Sequence, residues 1–282
     1  MNFLRPILAI LASLAYGSSH TSEPVPNVTA VCEIFDTSKI SDGGQPTPSK
    51  DAPLTGIMAL TAQNGARCIT KGVHGALDYY PILSEDHTQI TLSGTVSLEG
   101  GSADIDVTSS LDASKYLGSV KATRSFPARI LHLRQGLQHT RPPGKLELTD
   151  KVEISFERIT MRTATAAAML KPEKGVLDAR LILDLTRTMI QQGYATTQSI
   201  GPLRIPFGQL EKVAERDQTL AVESHLSEDK QWLTIYLTFK SGENELVSTL
   251  KVKHGDSTFV GTLESEKTGY VTLVFLHTSS TP

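Results

Sequence analysis

Two pairs of adjacent carboxylates, Glu85 with Asp86 and Glu228 with Asp229, are the side chains best placed by type for acid–base chemistry. Both lie in one tetrapeptide: residues 83–92 read LSEDHTQITL, and residues 226–237 read LSEDKQWLTIYL, 143 positions later. Acid and base roles require two environments that hold the two pKa values apart. Neighbours in sequence, immediately ahead of an alternating apolar run, share one environment. Asp tolerates turn conformations and bonds nearby backbone, so all four read as turn residues.

No other constellation supplies a reaction. The eight histidines are scattered, with none at helical i, i+4 spacing or beside a cysteine pair, so no metal ligand set is visible. Serine and threonine abound, but no GxSxG elbow presents one as a nucleophile. No catalytic residue and no cofactor is therefore assigned. Gly136, Gly255, Gly261 and the Asn64-Gly65 pair read as residues of backbone geometry, at tight turns or a bulge. Trp232 and Tyr236 share one face of an alternating run, opposite Leu233, Ile235 and Leu237, and form a candidate face for a partner or a sugar.

The elements that must position these residues are mostly strands. In 89–98, Ile90, Leu92, Val96 and Leu98 alternate with Gln89, Thr91, Ser93, Thr95 and Ser97. Residues 233–239, 250–253, 105–107 and 152–156 show the same period of two, the mark of half-buried strands. Helix is predicted only at 186–192, closed by Gly193, with a short alanine-rich alternative at 164–170. The fold class is mainly β with short helices and antiparallel or mixed sheets.

The LSED echo divides the chain. TAVCEIFDT (29–37) can be laid on DARLILDLT (178–186), and HLRQG, ending at Gly136, on KVKHG, ending at Gly255. These matches predict two tandem related units, 28–163 and 176–282, joined by a linker over 164–175. The smaller spacing of the last match requires an insertion in the first unit, placed at 100–122.

Residues 1–17 combine one positive charge at Arg5, an apolar run too short to span a membrane, and small residues ahead of Ser18. This is the pattern of a secretory signal peptide. Export places the chain in the periplasm, at the outer membrane or outside the cell. There Cys32 and Cys68 could persist as a disulfide, although two cysteines carry no spacing information. Asn27-Val28-Thr29 is a glycosylation sequon. With 27 basic and 30 acidic residues the chain has a net charge of -3. It lacks the basic footprint of a nucleic-acid binder.

Several of these segments resemble the C-terminal core domain of the secretins, the ring-forming outer-membrane channels of type II and type III secretion and pilus systems. VLDARLILDLTRTMIQQG (176–193) is similar to the strand-to-helix start of that core. LTAQNGARCITKG (60–72) resembles its hairpin, PILSEDHTQITLSGTVSLEGG (81–101) its acidic turn and alternating strand, and residues 248–278 its closing strands. The double glycine and the gate segment of that family have no counterpart after Gly261. The resemblance implies a non-enzymatic envelope component of protein secretion or pilus assembly. Its partners would be copies of itself or other envelope proteins, with membrane association that does not use a transmembrane helix. The alternative is a stand-alone periplasmic module that binds a small ligand or polysaccharide.

Overall fold

The computed structural model describes residues 26–37, 53–111, 113–124, 127–138, 151–215, 218–228 and 230–279. The signal-peptide segment and Asp229 lie outside them. The chain is mainly β, with seventeen strands and two helices among the described residues. The first eight strands are β1 (Asn27–Asp36), β2 (Leu54–Gln63), β3 (Cys68–Lys71), β4 (Gly75–Leu83), β5 (Gln89–Leu98), β6 (Gly101–Ser110), β7 (Ser114–Val120) and β8 (Arg129–Gln138). Then come β9 (Lys151–Arg162), α1 (Thr163–Met169), β10 (Val176–Leu177), α2 (Ala179–Gln191) and β11 (Thr196–Pro206). The chain ends with β12 (Leu210–Glu215), β13 (Gln218–Leu226), β14 (Trp232–Ser241), β15 (Asn244–Lys253), β16 (Ser257–Glu264) and β17 (Tyr270–Ser279).

Alternation fixes which sheet face each side chain takes, and the two apolar faces pack on each other. One sheet runs β10-β8-β1-β2-β16-β17-β9-β11, with β7 also pairing β8; the other runs β12-β13-β14-β15-β3-β4-β5-β6. Neighbours are antiparallel except for the two-residue pairing of β10 with β8. The shared core takes Ala30 and Cys32 from β1, Leu77 and Tyr79 from β4, Leu92 from β5, Phe156 from β9 and Phe239 from β14. Each large side chain so buried contributes about 1.5–3 kcal/mol.

The pairings of the first eight strands recur in the later ones. β1 pairs β2 and β8, β7 pairs β8, and β3 to β6 form a meander; β9 pairs β11 and β17, β16 pairs β17, and β12 to β15 form a meander. The hairpins match in length: β4, β5 and β6 have 9, 10 and 10 residues, as do β13, β14 and β15. From Leu60 onward one offset of 143 positions relates the two sets. It carries Ser114 of β7 onto Ser257 of β16, and the bulge between Tyr116 and Gly118 onto that between Phe259 and Gly261.

This revises the boundaries expected from sequence. Strands from 28–163 and from 176–282 enter both sheets, and β9 pairs with the later strands. Residues 100–122 are no insertion: they form β6 and β7, whose counterparts are β15 and β16. The run 178–186 forms the first turns of α2 instead of a strand equivalent to β1. Asp178 caps it, accepting from the backbone N–H of Arg180 and of Leu181 at 3.0 Å each, and Ala179, Ile182, Leu183 and Thr186 form its buried stripe. Gly193, at φ 77°, ends it, with Tyr194 N–H bonding the Met189 carbonyl.

The expected linker 164–175 is mostly α1 and the turn after it. The whole segment from α1 through α2 is an excursion between β9 and β11. It lies across the outer face of the first sheet, where Ala166, Leu170, Ile182 and Leu183 bury Ile57, Ala59, Ile159, Phe259, Leu273 and Phe275. Those residues come from strands on both sides of the β2/β16 junction, so the excursion straps the two sets together.

Candidate functional site

The junction between the two sets is the place where the sheets open. β3 and β15 pair over three residues, Glu245 with Lys71, Leu246 with Thr70 and Val247 with Ile69. β2 and β16 pair only at Gly261 and Leu60, then splay. A side chain at Gly261 would press on the Ala59 carbonyl at 2.8 Å, so glycine there permits the close approach.

Beyond the splay lies a cavity of about 310 Å³, at the small end of ligand-sized pockets. Ile34, Ile57, Met58 and Leu98 give it an apolar floor, with Arg129 buried beside them; Lys71, His74, Glu264 and Lys267 give it a charged mouth. Glu264 is held across the junction. One oxygen accepts from the His74 backbone N–H at 3.1 Å and the other lies 3.7 Å from His74 Nε2, while its own backbone N–H donates to Asn244 Oδ1 at 3.0 Å. Lys267 Nζ stands 3.9 Å from the centre of the Tyr270 ring. Bonds from Lys267 and then Arg162 hold the Tyr270 phenol below its ordinary pKa. A floor of this kind with both signs of charge at its rim suits a small amphiphilic ligand carrying opposite charges.

The outer face of the first sheet carries a Ser–His–Glu relay that sequence reading missed. Ser257 Oγ lies 2.8 Å from His277 Nδ1, and His277 Nε2 lies 3.3 Å from a Glu157 carboxylate oxygen. Burial pushes the His277 pKa down, Glu157 opposes that, and Arg187 adds to it. The residue types are those of a nucleophile, base and orienting acid, but His277 Nε2 makes no hydrogen bond and the Ser257 backbone N–H is spent on Asp256 Oδ1 at 2.9 Å. The corresponding residues of the first set are Ser114, Arg134 and Glu33, where Arg134 and Glu33 form an ion pair at 2.9 Å. The same place in the first set thus holds a plain ion pair between β1 and β8, where the second set links β9, β17 and β16. Its three members share the outward parity of their strands, but only the pairing register reveals that they meet.

The residues singled out in sequence fall as follows. Ser84, Glu85 and Asp86 form the turn between β4 and β5. Asp86 accepts from Ser84 Oγ at 2.7 Å and from Thr88 N and Oγ1 at 3.1 and 2.8 Å, which together lower its pKa. Ser227 and Glu228 occupy the equivalent turn between β13 and β14, with the same closing bonds. Ser84 N–H donates to the Gln89 carbonyl at 3.0 Å and Ser227 N–H to the Trp232 carbonyl at 2.9 Å. His87 and Lys230 both take left-handed backbone, at φ 55° and 57°. Glu85 and Asp86 are turn hardware, and Glu228 stands in the equivalent turn.

Asn64-Gly65 also turns the chain, but from one sheet to the other, with Asn64 Oδ1 accepting from Leu83 N–H at 2.7 Å. Gly255, at φ 78°, turns β15 into β16. Gly136 is corrected: it lies inside β8, where a side chain would meet Pro172 at 2.9 Å. Cys32 and Cys68 are free and buried on opposite sheets, and burial pushes the Cys32 thiol up to about 12 and that of Cys68 higher still. Asn27 of the sequon is buried with both amide atoms engaged, Nδ2 on the Lys251 carbonyl at 2.8 Å and Oδ1 on Lys251 N–H at 2.9 Å. It clamps the two sheets together, and a glycan there would be incompatible with this packing.

Trp232 and Tyr236 do share the outer face of their sheet, but not as a pocket. Trp232 is 6% exposed beneath Lys253, whose Nζ lies 4.6 Å from the ring centre, and Lys251 at 5.9 Å. Tyr236 is 42% exposed and stacks edge-on against His225 at 5.6 Å. Among the described residues no cluster of His, Cys, Asp and Glu could hold a metal ion, and no helix is long and apolar enough to cross a membrane.

No family model, curated protein or solved structure matches the chain.

Proposed function

We propose that this chain is a non-enzymatic, exported component of the cell envelope that acts by pairing its open sheet edges with copies of itself or with other envelope proteins. The observation that carries the reading is that, among the described residues, both sheets end on strands with no outer partner: β6 in one sheet and β7 with β10 in the other at one end, and β12 and β11 at the other. An unpaired strand presents a row of N–H and C=O groups that another chain can extend. The recurrent strand pairing supports reading the chain as an internal repeat, and the secretin-like segments are consistent with a role in secretion or pilus assembly. Sedimentation velocity of the mature protein, with detergent fractionation of cells, tests the proposal. Association at micromolar concentration and recovery with envelope fractions are expected; a strictly monomeric, freely soluble protein would overturn it.

The junction cavity favours a second reading, a binding module for a small amphiphilic ligand. Screening zwitterionic and amphiphilic compounds by NMR is expected to shift the resonances of His74 and Met58; shifts confined to the outer face around Tyr236 would count against it.

A further inference from the structure

The internal junction supplies a template for joining two copies of the chain. The edge of the first set facing the junction is β2 with β3; the edge of the second set facing it is β16 with β15. The counterparts of β2 and β3 are β11 and β12, which have no outer partner among the described residues at the far end of the second set. The counterparts of β16 and β15 are β7 and β6, which have none at the far end of the first set, where the short β10 continues the edge beside β7. Each molecule therefore carries, on its two free ends, the two halves of the joint it already makes internally.

We propose that copies of this chain join head to tail, the β6/β7 edge of one against the β12/β11 edge of the next, in the register of the internal junction. This rests on the edge-association reading above and supplies its partner and register. Shifting the three β3/β15 pairs by 143 positions sets Ser102 against Ala214, Ala103 against Val213 and Asp104 against Lys212. Ala103 and Val213 replace Leu246 and Thr70, which the internal junction buries; both are half-buried at the free ends and turn inward. Asp104 and Lys212 are exposed on the outer face. In the joint they form a directly opposed cross-strand pair of opposite charge. Asp106 lies diagonally across from Lys212.

In the other sheet the single internal pair, Gly261 with Leu60, becomes Gly118 with Leu203. At the internal junction Ala59 N–H donates to Thr262 Oγ1 at 2.7 Å. Its counterpart, Pro202, has no N–H to give Ser119, so the β6/β12 ladder sets the register. The joint uses different surfaces on its two members, so it is heterologous and propagates into a ring or an open file of molecules.

The experiment uses two full-length exported variants, Asp104→Cys and Lys212→Cys, each checked for native circular dichroism. Both positions are exposed, and the native cysteines are buried and out of reach of an oxidant. Mild oxidation of the mixture is expected to give a disulfide-linked pair, while neither variant alone cross-links. A second arm reverses charge: Asp104→Lys or Lys212→Asp alone should weaken association by about threefold to tenfold, and mixing the two should restore it. Cross-linking of Asp104→Cys with itself would show edge association in a two-fold arrangement and overturn this register while leaving the broader reading intact. No cross-link in any sample, with monomers throughout by sedimentation, would overturn both.

Discussion

Residues 79 and 94 in the first set, and 222 and 237 in the second, are directly opposed cross-strand neighbours in matching hairpins. The first pair is Tyr79 against Gly94; the second is Val222 against Leu237. Tyr79 sends its hydroxyl across the sandwich to the carbonyls of Leu60 and Val28, at 2.5 and 3.3 Å, and a side chain on Gly94 would run into the Asp78 carbonyl and the Tyr79 backbone. In the second set two medium side chains divide the same space and make no such bond. One strand order thus accepts two cores, and in the first set Gly94 also permits a closer backbone approach than a side chain there would allow. Strand lengths and register are common to both sets, while the contents of the core are specific to each.

The sharpest way to break this comparison is to exchange the pairs. Tyr79→Val is expected to cost about 3 kcal/mol, through a cavity and two unpaired carbonyls. Gly94→Leu beside an intact Tyr79 is expected to cost about 3 kcal/mol through overpacking. Because the clash at Gly94 is with backbone that Tyr79→Val leaves in place, the double variant should lose about the sum of the two in urea unfolding. A recovery of more than about 1 kcal/mol would show that the two positions share side-chain space.

A smaller effect separates the two cross-strand ties on the outer face of the first sheet. His277 has its pKa held down in the folded protein, so the unfolded chain binds the extra proton more readily. Stability is then fully present above the ordinary histidine range and is lost as pH falls through that range toward the folded value. Burial lowers His254 as well, and it contributes in the same direction. Arg134, at the first set's equivalent of position 277, keeps its charge throughout. The variant His277→Arg should therefore flatten the fall in melting temperature between pH 7 and pH 5, leaving the share of His254 and, with the opposite sign, that of Glu33, whose carboxyl pKa is held up by burial. An unchanged slope would remove His277 from the account.

The smallest effect tests whether the two LSED turns are equivalent. His87 and Lys230 pay for left-handed backbone that glycine adopts freely, so His87→Gly and Lys230→Gly should each raise stability by about 0.5 kcal/mol. A gain at one turn and a loss at the other would show that the likeness ends at the backbone.

The LSED echo was legible because a hairpin turn is written locally: a serine to close it, an aspartate to bond it, and a left-handed position after it. The strands beside it were legible for the same reason, since alternation is a local signal. The flanking matches failed where pairing decides. VLDARLILDL satisfies both a strand and a helix pattern, and the cap at Asp178 with the buried stripe down to Thr186 selects the helix. HLRQG and KVKHG both end in glycine, but Gly136 lies within β8 against Pro172, whereas Gly255 turns the chain. The junction cavity was beyond reach, because its walls run from Ile34 to Val271 and meet only through the β3/β15 and β2/β16 pairings.

The order of the strands along the sheets has a consequence for how the protein is made. Synthesis delivers β2 and β3 within the first 71 residues, but their partners β15 and β16 end only at residues 253 and 264. The first eight strands therefore form an unmatched inner edge that stays uncovered until strands more than a hundred residues further along the chain have folded. A second copy that offered its own β15 and β16 in that interval would complete the edge just as well. Exchange of C-terminal strands between two copies is thus the misassembly that this strand order invites during folding.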